Sequence, residues 1–166
     1  QIAIAKGVEV LGDIELFARE CKGKIMAITG SNGKSTVTDL TCELLKAAGK
    51  DAVIGGNFGV PVLDLLPSQS SKTYVLELSS FQLDTTRALK ADVAVVLNVS
   101  ADHMDRYASF DAYRHSKLSI FNGAKKCLVN GDDSLTQSDS VKVFAEYSLQ
   151  NANADYCLVE QSDNRC

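Results

Sequence analysis

Hydrophobic positions along the chain fall into short continuous runs separated by stretches of helical spacing. The clearest example is residues 24–49. Ile25, Met26, Ala27 and Ile28 form an apolar run, the pattern of a strand covered on both faces. A polar turn with two glycines, 29–33, follows. From Lys34 the apolar positions recur with helical period, placing Val37, Leu40, Thr41, Leu44, Leu45 and Ala48 on one face, and Gly49 ends the helix. The alternation then repeats. Residues 51–56 predict a strand ending in two glycines, and 55–59 a second glycine-rich turn. Pro61 opens a helical piece over 62–66, and 68–72 is a polar connection. Residues 74–78 predict a strand with Glu77 near its C-terminal end. Ser79, Ser80 and Phe81 turn into a helix carrying Leu83 and Leu89. Residues 93–99 are the most apolar strand, 110–121 a helix closed by Asn122 and Gly123, and 127–130 a further strand.

The two ends are less regular. Val8 and Val10 alternate with polar neighbours like a short strand, and Asp13 is expected to cap a turn of helix through Ile14, Leu16 and Phe17. Residues 141–147 and 156–160 read as two strands with no helix between them, which predicts an antiparallel edge or hairpin. The fold class is therefore α/β, a mostly parallel sheet flanked by helices, with an antiparallel edge at its C-terminal end.

Composition narrows the function classes. A chain of 166 residues suffices for one domain with a real core, and 45% hydrophobic with 23% charged residues is typical of a soluble globular protein. A net charge of -4 argues against nucleic-acid or polybasic membrane partners. No apolar run approaches the ~20 residues of a membrane span, and no signal peptide is visible. The five cysteines are scattered and none forms a C-x-x-C pair. This argues against a disulfide framework or zinc site and fits reduced thiols in the cytoplasm. The chain starts at Gln1 and ends in SDNRC with no stop to a fold, so it reads as a piece of a larger protein.

The strongest chemical signal is the turn between the first strand and the helix. A strand, a glycine-rich turn and a helix N-terminus make a phosphate cradle, because backbone N–H groups and the helix dipole point at the bound anion. In such a cradle Lys34 reaches the outer phosphates and Ser35 ligates magnesium. The string departs from G-x-x-x-x-G-K-[ST] at Ile28, where the first glycine belongs; a plain structural turn is the alternative. In an open parallel sheet, ligands gather at the C-terminal strand ends, and four polar clusters occupy such ends: 30–36, 55–59, 77–80 and 98–105. Glu77 suits magnesium, or is a solvated turn acid. His103, between Asp102 and Asp105, is a ligand or catalytic group, or an ordinary loop histidine. Lys117 shares a helix face with Tyr113, Ile120 and Phe121. The helix pattern alone favours a snorkelling surface lysine over a buried amine.

Five strings occur in order: TGSNGKST, GGNFG, ELSSFQL, NVSADHMDRY and YRHSKLSIF. Together they resemble the Mur ligases of bacterial cell-wall synthesis, over about residues 7–133, and the Ile28 departure is usual for that family's loop. The resemblance implies a three-domain enzyme. Residues 1–22 would be the end of the uridine-nucleotide domain and its linker, 23–166 the central P-loop NTPase-like domain, and the amino-acid domain would lie outside the chain. Gly30, Ser31, Asn32, Gly33, Lys34, Ser35 and Thr36 would hold the ATP phosphates. Ser35 and Glu77 would bind one magnesium and His103 a second, supported by Lys117 as a carbamylated lysine. Lys34, Lys117 and His103 would be catalytic; Asn57, Ser79 and His103 would lie near the muramoyl substrate. Within the family, ELSSFQL with DHMDRY points to the reaction that adds D-glutamate to UDP-N-acetylmuramoyl-L-alanine through an acyl phosphate, in a cytoplasmic monomer inactive as this piece alone. Another Mur ligase, a folylpolyglutamate synthase-like ligase and a non-catalytic nucleotide-binding module are the alternatives.

Overall fold

The computed structural model describes residues 5–66 and 72–158. The polar connection at 68–71, Cys166 and the last two residues of the strand expected over 156–160 lie outside them. Seven parallel strands form one sheet in the order β2-β3-β1-β4-β5-β6-β7. They are β1 (Lys24–Thr29), β2 (Ala52–Gly56), β3 (Thr73–Glu77), β4 (Val93–Val96), β5 (Cys127–Asn130), β6 (Val143–Ser148) and β7 (Tyr156–Cys157). The helices are α1 (Asp13–Glu20), α2 (Lys34–Ala47), α3 (Ser80–Asp84) and α4 (Phe110–Leu118), with 3₁₀ turns at Val62–Leu65, Ser119–Phe121 and Ser134–Thr136.

The sheet is covered unequally. On one face α1, α3 and α4 bury the larger core, in which Ile14, Phe17, Tyr74, Leu76, Val96, Tyr113 and Phe121 meet. On the other, α2 alone covers β2, β3 and β1 through a small cluster of Ile28, Cys42, Ala52 and Val75. Beyond α2 a cavity of about 500 Å³ runs over Val93, Val95, Leu97 and Leu128, and its polar end is Asn32, Asn98 and Asn130.

Three expectations are corrected. Leu40 and Leu44 do not join the buried face of α2; they are 58% and 62% exposed. Thr38 and Cys42 are buried instead, small residues one turn apart that let the helix approach the strands closely. Val8 and Val10 form no strand and are exposed, while Asp13 is the first residue of α1 rather than its cap. The antiparallel edge is replaced by parallel pairing of β6 with β5 and of β7 with β6. The chain over 131–142 is long enough to cross back through the Ser134–Thr136 turn. The 149–155 loop is wound over the end of β6 by side-chain acceptors. Asp132 accepts from Ser148 Oγ and from Leu149 N (2.7 Å), Ser148 Oγ accepts from Asn151 N (2.7 Å), and Asp155 accepts from Glu146 N (2.9 Å).

Helix α1 packs as part of the core, and a buried carboxylate fixes it. Glu15 accepts from Arg87 N (2.6 Å), Ala88 N (2.8 Å) and Arg19 Nε (2.8 Å). The backbone donors, Ala88 first, hold its carboxyl below the ordinary value of 4.5 against the opposing effect of burial. The lowered folded value means that this stabilisation is fully present above pH 4.5 and is lost as pH falls below that, through the folded value. Glu15→Gln is expected to lower the unfolding free energy by about 2 kcal/mol at pH 7, the scale of hydrogen bonds to a charged group. Urea titrations at pH 7 and below pH 4.5 check this: the difference from wild type should shrink as pH falls through the lowered folded value.

Candidate functional site

The glycine-rich turn is short because β1 runs through Ile28 and Thr29 before it begins. Ile28 pairs with Glu77 and Val95 and is buried under α2, so a strand residue stands where a longer loop would carry its first glycine. The turn proper is 30–33. Gly33 takes φ +78, the left-handed conformation that starts α2 with no Cβ penalty. The turn is pinned to the end of β4: Ser31 N donates to Asn98 O (3.0 Å), Asn32 N to Asn98 Oδ1 (2.8 Å), and Asn98 Nδ2 back to Asn32 O (3.0 Å). Lys34 folds over the turn and donates to Gly30 O (2.9 Å) and Ser31 O (3.1 Å). Ser35 and Thr36 are exposed in the first turn of α2.

Glu77 ends β3 beside this turn. It is buried, with Oε1 accepting from Asn57 Nδ2 (2.7 Å) and Oε2 lacking any partner. A solvated turn acid is therefore excluded. Asn57 reaches it because Gly56, at φ +100, lets the end of β2 lie against β3: a Cβ there would stand 2.2 Å from Glu77 O. Ser79 follows as the N-cap of α3, in a reciprocal capping box with Gln82.

Lys117 differs most from its helix pattern. It is 2% exposed, not a snorkelling surface lysine. Its Nζ donates to Gly30 O (2.8 Å), the carbonyl that Lys34 also uses, and lies 4.7 Å from the centre of the Tyr113 ring. Burial, then the like charge of Lys34, bring its pKa down to about 8, with Asp102 opposing. The amine is half neutral near pH 8, so more of it than of an ordinary lysine is in the state that can react with an electrophile.

His103 sits in the loop after β4 with φ 54, the one non-glycine residue with positive φ among the described residues. Its Nε2 lies 3.5 Å from Asp102 Oδ2, and its ring packs on Phe81 at 4.9 Å and Tyr113 at 6.5 Å. The structure thus gathers the ends of β1, β3 and β4 and one face of α4. Sequence reasoning missed Tyr107, whose hydroxyl donates to Asp84 Oδ2 (2.7 Å) and lies 3.3 Å from Ser116 Oγ, and so fastens the His103 loop to α3 and α4. No local pattern marks it. Among the described residues no three His, Cys, Asp or Glu side chains cluster as a ready-made metal cage.

The chain is similar to known proteins. The Mur ligase middle domain model matches residues 28–164. The UDP-N-acetylmuramoylalanine--D-glutamate ligase of Pasteurella multocida is 52% identical over 158 residues, covering 95% of this chain and 36% of that protein. That of Haemophilus ducreyi is 55% identical over 158 residues, covering 92% and 36%. Among solved structures, a UDP-N-acetylmuramoyl-L-alanyl-D-glutamate--2,6-diaminopimelate ligase superposes with a TM-score of 0.68 at 26% identity, covering 83% of this chain and 34% of its own. The chain spans about a third of the length of the curated relatives it matches. A family model that matches residues 28–164, with relatives 52% and 55% identical, puts this glycine-rich turn, buried acid and buried lysine in a chain that belongs to the Mur ligase family.

Proposed function

We propose that this chain is the ATP-binding core of a cytoplasmic, monomeric ligase that joins D-glutamate to UDP-N-acetylmuramoyl-L-alanine. Residues 1–22 lead in from a uridine-nucleotide domain, 23–166 are the central domain, and a separate domain of the whole protein binds the amino acid. The observation that carries the ligase reading is the buried amine of Lys117 on the carbonyl of Gly30. A simple nucleotide switch has no use for a second lysine there. The relatives named above support the choice of substrate.

The reaction has two steps. A carboxylate oxygen of the L-alanine unit attacks the γ-phosphorus and the bond to ADP breaks; the amine of D-glutamate then attacks the acyl carbon, loses a proton, and phosphate leaves. The protein's contribution is positioning and charge neutralisation. Backbone N–H groups over 30–36 cradle the phosphates, and Lys34 leaves its loop carbonyls to pair with the outer ones. Asn57 orients Glu77 and, with Ser79 and His103, lies near the muramoyl end. Magnesium fits this donor set: Glu77 Oε2 is a buried oxygen without a partner, Ser35 offers a hydroxyl, and a hard ion that keeps waters and phosphate oxygens needs few protein ligands. Two such ions would neutralise charge on the transferring phosphoryl group. Glu77 and Ser35 would hold the first; His103 and the carbamate of Lys117 would hold the second. Lys117 becomes that carbamate when its neutral Nζ bonds the carbon of CO₂ and releases a proton.

The deciding experiment is phosphate release by the full-length enzyme with ATP, magnesium and UDP-N-acetylmuramoyl-L-alanine, each amino acid being offered in turn. Release should depend on D-glutamate. Dependence on another amino acid would keep the ligase chemistry and refute the substrate; no release with any would favour a binding module. Lys117→Ala should lose about 100-fold or more in activity and regain part of it with added short carboxylic acids. The 166-residue chain alone should form no product. A ¹⁵N titration of Lys117 Nζ should show the amine becoming neutral as pH rises through about 8. Lys34→Ala should move that midpoint upward by removing a like charge.

A further inference from the structure

We propose that Tyr113 is a positioning residue that keeps Lys117 in register with the phosphate loop, through the bond between its hydroxyl and that of Ser31. This rests on the ligase reading above. The two hydroxyl oxygens are 3.0 Å apart, and Tyr113 is fully buried. Ser31 Oγ also accepts from Ser100 N (2.9 Å) and lies 3.0 Å from Ser100 O. Proton counting fixes the direction. If Ser31 donates to Ser100 O, Tyr113 donates into the remaining lone pair of Ser31 and every proton has an acceptor. If Ser31 donates to Tyr113 instead, the buried phenol proton has no acceptor among the described residues, a costly arrangement.

Two polar contacts among the described residues tie α4 to the loop: this one and Lys117 Nζ to Gly30 O. They stand four residues apart on one helix face. Carbamylation changes the second. The group on Lys117 turns from cation to anion, so the ammonium no longer serves the Gly30 carbonyl, and its attraction to the Tyr113 ring face, at 4.7 Å, is lost. The Tyr113–Ser31 bond is then the polar tie that holds α4 on the loop. The same ring meets Tyr107 at 5.3 Å and His103 at 6.5 Å, so one side chain touches the loop, the His103 segment and the reactive lysine.

The test uses the full-length enzyme in ¹³C-bicarbonate, with the carbamate resonance that Lys117→Ala abolishes as the readout. Tyr113→Phe keeps the ring and removes the hydroxyl. It should raise the bicarbonate needed for half-maximal carbamylation about five- to tenfold, the scale of one hydrogen bond. Ser31→Ala should do the same from the loop side and stands in if Tyr113→Phe fails to fold. The double variant should be no worse than Ser31→Ala alone, because Tyr113→Phe deletes an interaction that Ser31→Ala has already removed. Unchanged carbamylation in a folded variant, or losses that multiply in the double variant, would overturn the inference while leaving the ligase reading intact. A wild-type enzyme with no such resonance would instead remove the carbamate from that reading, and this inference with it.

Discussion

One carbonyl oxygen organises this site. Gly30 O accepts from Lys34 on the helix that follows the loop and from Lys117 on a helix far along the chain. Bringing two ammonium groups to one acceptor is unfavourable unless the surroundings supply compensating dipoles, since burial penalises each charge and proximity penalises both. The turn supplies them. Its carbonyls converge inward, and the π face of Tyr113 lies under the more buried amine. Loop, helix N-terminus and α4 must therefore stay in register, and the remaining contacts read as means to that end. Asn98 clamps the turn from β4, Thr29 Oγ1 ties the end of β1 to Leu78 O (2.7 Å), and Ser116 Oγ ties α4 to Ser80 O (2.9 Å).

The sequence was most informative where chemistry is local. Residues 29–36 hold a turn, its left-handed glycine and the first helical residues in one string, so their geometry follows from neighbours along the chain. Lys117 was illegible by the same logic. Its helix supplies Tyr113, but its carbonyl partner is a residue of the first loop, and no periodicity records a contact of that range. The error on Leu40 and Leu44 has a related cause: apolar spacing identifies a stripe but not which neighbouring stripe meets the sheet, and small Thr38 and Cys42 permit the closer approach. At the far edge, two strand-like runs without an intervening helix suggested a hairpin. Polar side chains that accept from loop N–H groups turned the chain through a wider path instead, so β7 arrives parallel.

The unequal cover of the sheet separates two kinds of demand. On the side of α1, α3 and α4, large apolar side chains fill the space, and one buried carboxylate, Glu15, is satisfied by three donors. Opposite, α2 meets the sheet through few and small groups and leaves a cavity beside Asn32 and Asn98. The helix bearing Lys34, Ser35 and Thr36 thus rests on the sparser packing, while α4 with Lys117 rests on the denser one. Rigidity is concentrated under the amine, whose depressed pKa depends on continued exclusion of water.

His103 occupies a backbone conformation that ordinary side chains avoid, at a cost of order 1 kcal/mol or more. Glycine would adopt it freely, and asparagine with less strain than histidine. The backbone at this point thus gives no reason for an imidazole. A laboratory selection for thermal robustness would drift away from histidine here, whereas a selection for turnover would retain it. The two pressures pull one codon in opposite directions, so the residue recovered in such a competition reports what the loop is for.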